Sequence, residues 1–418
     1  MDGGRVIRNG CVRTEDSAIS YVGTETAPDS EFDRVIDAKG GIVLPGLVNA
    51  HTHTAMTLLR GFADDMTLET WLFDHIFPAE DKLDADAVYW GSLLACAEMI
   101  KSGTTLFADM YFMNESTVRA VLESGINANI SRCVSGMNTE YKRGLAEAEE
   151  LYSSYHGAGG GAVRIEFSAH AVYTCGRETI RSVAEAAQKR GAGIQIHLSE
   201  TMKENRDCYR QYGKSPTEVF RDYGVFESPV NAAHCVYLSE NDMNILAAHQ
   251  VGVSHNPVSN LKLASGVANI KEMLEKGICV GIGTDGTASN NALDVFEEIK
   301  TAAILQKGMR LDPTLINAQT ALEMATVRGA EMLGRGGERG RLKKGLRADV
   351  IILDSAAPNL YPVYQPESTL VYSANGGNVL TSVINGKIVM ENRELLTIDM
   401  ERVMHGVGKA VKQMGLRM

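Results

Sequence analysis

Histidines follow several short apolar segments of the chain, and this placement could supply the ligands of a metal ion. His51 and His53 come directly after the apolar segment 46–50. Side chains at positions i and i+2 of a strand point to the same face, so both imidazoles could reach one ion. His255 also ends an apolar segment, where a structural and a functional role fit equally well. Four further side chains follow other apolar segments: His170, His197, His234 and Asp285.

The cysteines indicate which ligands such a metal would have. The chain has 7 cysteines, an odd number, and no two are spaced as a C-x-x-C pair. This pattern favours reduced, buried thiols over a disulfide framework or a thiolate zinc site. It also argues against the zinc deaminases that use an H-x-E and P-C-x-x-C signature. We therefore expect histidine and carboxylate ligands.

The elements that position these side chains follow from the pattern between residues 44 and 342. Short apolar segments alternate there with longer amphipathic ones, which predicts a parallel sheet covered by helices. Eight apolar segments can be counted, the number that closes a (β/α)8 TIM-type barrel. In such barrels functional side chains gather at the C-terminal ends of the strands. The segments are 46–50, 104–108, 128–134, 163–169, 192–198, 230–235, 251–255 and 278–284.

Both chain ends have a different pattern, in which short strand-like segments alternate with turn residues. Asn385-Gly386 between two apolar segments predicts a β-hairpin, and an amphipathic segment predicts a helix over about 399–413. We expect one small β-sandwich domain built from residues 1–43 and 343–418, with the barrel over 44–342. The strand-like segments are 5–7, 18–22, 34–38, 348–354 and 381–389.

Charge and hydropathy exclude several classes of partner. The chain has 418 residues, with 41 Lys and Arg against 52 Asp and Glu, a formal net charge of -11. Such a chain repels phosphate backbones, so we expect no nucleic-acid partner, although a single nucleoside could still be a substrate. No segment approaches the roughly 18 apolar residues of a membrane span, and the N-terminus lacks the apolar core of a signal peptide. We expect a cytoplasmic protein without a membrane partner.

Four motifs together resemble the amidohydrolase superfamily, and within it the branch of 5′-methylthioadenosine/S-adenosylhomocysteine deaminases and 5′-deoxyadenosine deaminases. The resemblance spans almost the whole chain, including the split β domain. It implies one divalent metal ion, usually zinc, bound by His51, His53, His197 and Asp285. A second metal held by a carboxylated lysine is disfavoured, because segments 128–134 and 163–169 contain no lysine. The motifs are 45–53 (PGLVNAHTH), 197–200 (HLSE), 254–257 (SHNP) and 283–286 (GTDG).

The resemblance also implies catalytic and binding roles. Glu200 would carry a proton from the attacking water to N1 of a purine, His234 would orient the nucleophile, and Asp285 would help protonate the leaving ammonia. Glu80 would accept hydrogen bonds from the two ribose hydroxyls, and His170 would contact the purine or ribose. The other predicted substrate contacts are Glu200, Asp285, Arg132 and Arg143, with Trp71 beside the 5′ substituent. Arg143 fits equally well as a solvent-exposed residue at the start of a helix, without a contact to substrate.

The predicted function is metal-dependent deamination of a 5′-substituted adenosine to the inosine derivative and ammonia. S-Adenosylhomocysteine, 5′-methylthioadenosine, 5′-deoxyadenosine and adenosine are all candidate substrates. One alternative within the superfamily is a free-base purine deaminase of the guanine or 8-oxoguanine type, and another is a triazine chlorohydrolase. A remote alternative is a non-catalytic scaffold that has kept the amidohydrolase-like barrel. Relatives of this branch imply a homo-oligomer, either a dimer or a tetramer.

Overall fold

A computed structural model describes residues 4–416, which form an eight-stranded parallel barrel and two smaller antiparallel sheets. Within these residues no helix is long and apolar enough to cross a membrane. The strands, numbered in chain order, are β1 (Cys11–Glu15), β2 (Ala18–Gly23), β3 (Ile42–Pro45), β4 (Leu47–Thr52), β5 (Thr104–Tyr111), β6 (Asn127–Arg132), β7 (Val163–Ser168), β8 (Ile194–Leu198), β9 (Val230–His234), β10 (Gly252–His255), β11 (Val280–Ile282), β12 (Val350–Leu353), β13 (Val379–Ile384), β14 (Lys387–Glu391) and β15 (Glu394–Leu395).

Helices cover the barrel between successive strands. A 3-10 segment over Thr54–Leu59 and a π-helical segment over Thr70–Ile76 lie between β4 and the first long helix. The α-helices are α1 (Phe77–Glu80), α2 (Ala85–Lys101), α3 (Asn114–Ser124), α4 (Tyr141–Tyr155), α5 (Ala158–Gly161), α6 (Arg177–Arg190), α7 (Met202–Tyr212), α8 (Pro216–Asp222), α9 (Glu240–Ala248), α10 (Pro257–Lys262), α11 (Ile270–Glu275), α12 (Val295–Arg310), α13 (Ala318–Met324), α14 (Val327–Met332), α15 (Pro366–Tyr372) and α16 (Met400–Gln413).

The barrel consists of β4 to β11, paired in sequential order and all parallel. Most residues of these strands are buried on both faces, which explains their near-continuous apolar sequence. Hydrogen bonds close the barrel between β4 and the segment after β11. Asp285 N–H donates to the His51 carbonyl at 2.9 Å, and Thr284 N–H donates to Asn49 Oδ1 at 2.9 Å. The (β/α)8 prediction is confirmed, and each of the eight predicted segments overlaps one barrel strand.

The smaller sheets use both ends of the chain. In the five-stranded sheet β3 pairs with β12, where Leu44 lies opposite Ile351. The predicted hairpin joins β13 and β14, with Asn385 and Gly386 at φ 50° and 75°. A Cβ at Gly386 would lie 1.9 Å from the Asp16 carbonyl oxygen, so glycine also permits close contact with the N-terminal segment. The prediction of a small β domain from both termini is confirmed.

Some details of the chain ends differ from the sequence predictions. Segments 5–7 and 34–38 form no strand, because a strand-like sequence needs a partner strand that these segments do not find. The C-terminal helix α16 packs on the barrel helix α2, where a Cβ at Gly406 would lie 2.2 Å from Trp90 Cδ2. The division of the chain at residues 43 and 343 stays a prediction. Residues 1–3 and 417–418 of the predicted β domain lie outside the described residues.

Candidate active site

The predicted site residues meet at the C-terminal edge of the barrel. His51 lies near the end of β4, and His53 follows that strand. His197 is the penultimate residue of β8, and His234 is the last residue of β9. Asp285 lies three residues beyond β11. Because parallel strands present their carboxyl ends to one side, these positions converge although the sequence separates them widely.

Two overlapping groups of these side chains have the spacing of metal ligands. Donor atoms of His51, His197 and His234 lie within 4.8 Å of one another, and so do those of His51, His53 and Asp285. His53 Nε2 lies 3.3 Å from Asp285 Oδ1 and 3.4 Å from His197 Nε2. His51 Nε2 is buried and has no hydrogen-bond partner among the described residues. These ligand atoms therefore face a common point.

Hydrogen bonds on the far side of each ring set the orientation of the ligands. His53 Nδ1 donates to the Met110 carbonyl at 2.6 Å, and His197 Nδ1 donates to the His170 carbonyl at 3.1 Å. The Nε2 atom of each ring is then directed to the centre, as in metal sites where a second hydrogen bond orients the ring. The set of imidazoles with one carboxylate suits a borderline-soft divalent cation.

Asp285 presents one carboxylate oxygen to the histidines. Its Oδ2 accepts hydrogen bonds from the hydroxyls of Ser259 at 2.6 Å and Ser289 at 3.0 Å. Oδ1 accepts the Gly286 N–H at 2.8 Å and faces His51 and His53. The two serines were not predicted, because neither hydroxyl follows an apolar segment. They leave Oδ1 as the oxygen available to an ion.

Electrostatics favour a positive charge beside Asp285. Burial lowers the pKa of His51 to about 4, so this imidazole is neutral. Burial also lowers the pKa of His53, but the hydrogen bond to Asp285, the charge of Asp285 and the Met110 carbonyl together outweigh this and raise the pKa to about 9. Although burial raises the pKa of Asp285, the imidazoles of His51 and His53, whose Nε2 atoms lie 3.5 and 3.3 Å from Oδ1, hold it well below its usual range. A divalent cation supplies the charge that this arrangement stabilises.

Glu200 lies in the turn after β8 and is buried next to the ligands. Its Oε1 accepts a hydrogen bond from Ser265 Oγ at 3.3 Å, and burial raises the pKa of the carboxyl group. Glu204, which the sequence analysis missed, holds this turn. Its two carboxylate oxygens accept the N–H groups of Ser199 at 3.2 Å and Glu200 at 2.8 Å. Ser199 has φ 50°, in the left-handed region, so the turn needs such support.

His234 reaches the same centre from β9. Its Nδ1 donates to Asn260 Oδ1 at 2.9 Å, which leaves the other ring nitrogen without a proton. The residue has φ 74°, again in the left-handed region, and it lines the cavity above the barrel. A buried, oriented imidazole of this kind can accept a hydrogen bond from a water or hydroxide at the centre.

A cavity of about 450 Å³ opens beside the ligands. The predicted substrate contacts Trp71, Glu80 and His170 all line it, together with Glu200 and Asp285. Glu80 Oε1 is buried without a hydrogen-bond partner among the described residues. Burial raises the pKa of Glu80 to about 7, against a smaller lowering by the neighbouring Tyr111 hydroxyl. An unpartnered carboxylate facing a cavity is suited to bind hydroxyl groups of a ligand.

Three other candidates do not line this cavity. Arg132 Nε and Arg143 Nε each donate to Glu147, both at 2.8 Å, and the Arg143 side chain is 88% exposed. Their predicted contact with substrate stays a prediction. His255 is buried at the end of β10, with neither ring nitrogen hydrogen-bonded among residues 4–416. His255 therefore does not contact the cavity directly.

Comparisons with known proteins agree with this geometry. The model of the amidohydrolase family matches residues 42–389. A 5-methylthioadenosine/S-adenosylhomocysteine deaminase of Acetivibrio thermocellus is 47% identical over 98% of this chain and 95% of its own. A 5′-deoxyadenosine deaminase of Methanosarcina acetivorans is also 47% identical, with the same coverage. The crystal structure of an adenosine deaminase from Xanthomonas campestris with bound zinc has a TM-score of 0.90 at 32% identity, covering 97% of this chain and 94% of that one.

We expect zinc to stabilise the metal-stripped protein and Asp285→Asn to remove that effect. At a hundredfold excess of zinc over its dissociation constant, binding to the folded state adds about 2.7 kcal/mol to the free energy of unfolding. Thermal unfolding with and without zinc measures this, with metal content determined on the same samples. Asp222→Asn, at an exposed carboxylate, is the matched control. An equal zinc shift in Asp285→Asn and the wild type would contradict the proposed ligand.

Proposed function

The chain belongs to the amidohydrolase family, and we propose that it deaminates 5′-substituted adenosines to the corresponding inosine derivatives and ammonia. The observation that carries this proposal is a single cavity lined by the histidine and aspartate cluster, the buried Glu200 and the unpartnered Glu80. The names of the relatives, nucleoside deaminases at 47% identity over nearly the full chain, support the same activity.

We propose that His51, His53, His197 and Asp285 bind one divalent ion, which is zinc. The zinc-bound structural neighbour and the donor set of this site support that choice. When bound, such an ion acts as a Lewis acid and makes water a nucleophile at neutral pH. Side chains of the protein carry out the remaining steps, which are proton transfer and orientation of the attacking water.

Glu200 is the proposed proton carrier. Burial favours its protonated form, so the carboxylate can accept a proton from the attacking water and deliver it to N1 of the purine. His234 orients the oxygen that attacks C6. The C6–O bond forms, the C6–N bond breaks, and Asp285 helps a proton reach the departing ammonia. One water is consumed for each ammonia released.

The nucleoside is held by side chains along the cavity. Glu80 accepts hydrogen bonds from the two ribose hydroxyls, which a free carboxylate oxygen can do. The hydroxyl of Thr174 bonds His170 Nδ1 at 2.8 Å, so Nε2 remains available to the purine or ribose. Trp71 contributes an apolar ring to the wall. A free base lacks the hydroxyls, so Glu80 favours a nucleoside over the free-base alternative.

We further propose a cytoplasmic location and a homo-oligomer of two or four chains, with no nucleic-acid partner. The seven cysteines support a reducing compartment, since none is paired within the described residues. The acidic net charge of -11 supports a small-molecule substrate over a polynucleotide. The oligomer follows from the resemblance to this branch of the family.

Glu200→Gln should lower kcat about 10² to 10⁴-fold, because the amide cannot carry the proton. Metal content should stay unchanged, since Glu200 is not a proposed ligand. Ammonia release from 5′-deoxyadenosine, with metal analysis of both proteins, measures these effects. Near-normal turnover in a metal-loaded Glu200→Gln protein would refute this role.

Glu204→Gln should lower kcat while KM changes little, because Glu204 positions Glu200 without touching substrate. The amide NH₂ would face a backbone N–H, and a buried N–H left without an acceptor costs about 1–3 kcal/mol, which corresponds to a reaction roughly fivefold to a hundredfold slower. Glu218→Gln is the matched control, because Glu218 accepts the Ser215 N–H at 2.9 Å at the start of a helix remote from the cavity. Equal losses of kcat in both variants would show a general effect on folding instead.

Glu80→Ala should lower kcat/KM for nucleosides roughly fivefold to a hundredfold, because two hydrogen bonds to the substrate hydroxyls, of about 0.5–1.5 kcal/mol each, are lost. The same variant should keep whatever activity the wild type has on free adenine or guanine, because a free base has no ribose hydroxyls. Glu69→Gln, at an exposed carboxylate beside the π-helical segment, is the control. Wild-type activity that is higher on free bases than on nucleosides would favour a free-base deaminase.

A further inference from the structure

Three residues that line the cavity have a buried polar atom without a hydrogen-bond partner among residues 4–416. These atoms are Trp71 Nε1, Glu80 Oε1 and the Tyr111 hydroxyl oxygen. Buried polar groups of folded proteins are nearly always hydrogen-bonded, so unpaired groups in a cavity wall indicate that a ligand supplies the partner. Glu80 can act as an acceptor when ionised, whereas the Tyr111 hydroxyl and the Trp71 indole can act as donors.

The Tyr111 hydroxyl is the donor that adjoins Glu80. Tyr111 is the last residue of β5 and Glu80 is the last residue of α1, so two different elements bring these side chains together. Burial, and next to it the charge of Glu80, raises the pKa of Tyr111 well above its usual range, so the phenol keeps its proton. The cavity wall thus places a carboxylate acceptor beside a hydroxyl donor.

Neighbouring groups hold the Tyr111 ring in place. The residue is only 2% exposed, and its ring centre lies 5.2 Å from that of Phe112 and 6.4 Å from that of His53. Its backbone carbonyl accepts the Cys133 N–H at 2.8 Å, which ties the end of β5 to the chain after β6. A hydroxyl on a ring held in this way loses little conformational freedom when a ligand binds.

The hydrogen-bonding capacity of a vicinal diol matches this pair of side chains. Each ribose hydroxyl can donate one hydrogen bond and accept two. A carboxylate only accepts, so Glu80 can bind both hydroxyl hydrogens but supplies no donor to either hydroxyl oxygen. A hydroxyl oxygen that leaves water without gaining a new donor lowers the affinity. The Tyr111 hydroxyl is the group beside Glu80 that can supply this donor.

We propose that Tyr111 is a further substrate-binding residue, whose hydroxyl donates a hydrogen bond to the oxygen of one of the two ribose hydroxyls. Glu80 and Tyr111 then recognise the diol together, one as the acceptor and the other as the donor. A site that pairs with a substrate hydroxyl in this way discriminates against nucleosides that lack it. The proposal rests on the nucleoside deaminase function proposed above.

The test removes hydroxyl groups from both sides of this contact in the metal-loaded enzyme. Tyr111→Phe keeps the ring and should lower kcat/KM for 5′-deoxyadenosine about twofold to tenfold, as expected for the loss of one hydrogen bond. The same substitution is then measured with 2′,5′-dideoxyadenosine and 3′,5′-dideoxyadenosine. It should have no effect on the substrate that lacks the bonded hydroxyl and its full effect on the other. If turnover of either is too slow to measure, inhibition by the corresponding inosines gives the same comparison.

Tyr152→Phe is the matched control, because the Tyr152 hydroxyl donates to the Arg190 carbonyl at 3.2 Å and Tyr152 does not line the cavity. It should change none of the three values. A loss in Tyr111→Phe that is equal on all three substrates would show that Tyr111 acts through packing or through Glu80 and would overturn the proposal. Unchanged kcat/KM for 5′-deoxyadenosine would overturn it as well. A wild type without activity on 5′-substituted adenosines would instead refute the deaminase function.

Discussion

The closure of the barrel between β4 and β11 is the constraint on which the site depends. The Asp285 amide donates to the His51 carbonyl, and Asn49 pairs with Thr284 one step below. These hydrogen bonds place the last ligand beside the first two. Without them, a carboxylate from the end of the barrel and imidazoles from its beginning would have no shared position. The same hydrogen bonds therefore complete the fold and assemble the proposed metal site.

Hydrogen bonds to neighbouring strands then orient the side chains that closure of the barrel brings together. His53 on the β4 side is held by a carbonyl of β5, and His197 of β8 is held by the carbonyl that follows β7. Asp109 on β5 also accepts the Thr54 N–H at 2.7 Å, which supports the turn directly after His53. His53 and His197 are thus each aimed by a backbone carbonyl in or directly after an adjacent strand. A substitution does not remove a backbone carbonyl. The order of the strands in the barrel therefore fixes the orientation of the His53 and His197 rings.

The sequence predicts the barrel, and it also marks the proposed ligands, because both leave a local pattern. A buried parallel strand is a continuous apolar segment, and a functional side chain at its end interrupts that segment, as at His197 and Asp285. The segments 5–7 and 34–38 show the limit of this reasoning: their composition is strand-like, but pairing depends on chain that is remote in sequence. Glu204 had a usable signal, since Thr201 to Glu204 has the spacing of a capping box. The pair of Arg143 and Glu147 also had a signal, the i, i+4 spacing of a helical ion pair. The contact of Arg132 with Glu147 had none, because sequence does not tell which distant carboxylate a long side chain will reach.

The small sheet that joins both chain ends has a consequence for synthesis on the ribosome. β3 leads directly into β4 and its histidines, yet its partner β12 is translated only after the whole barrel. During translation, His51 and His53 are therefore synthesised long before β12. The strand that precedes them, β3, can pair only after that C-terminal region has been made. A translation product that stops before residue 350 would therefore contain every proposed ligand but lack the partner strand of β3.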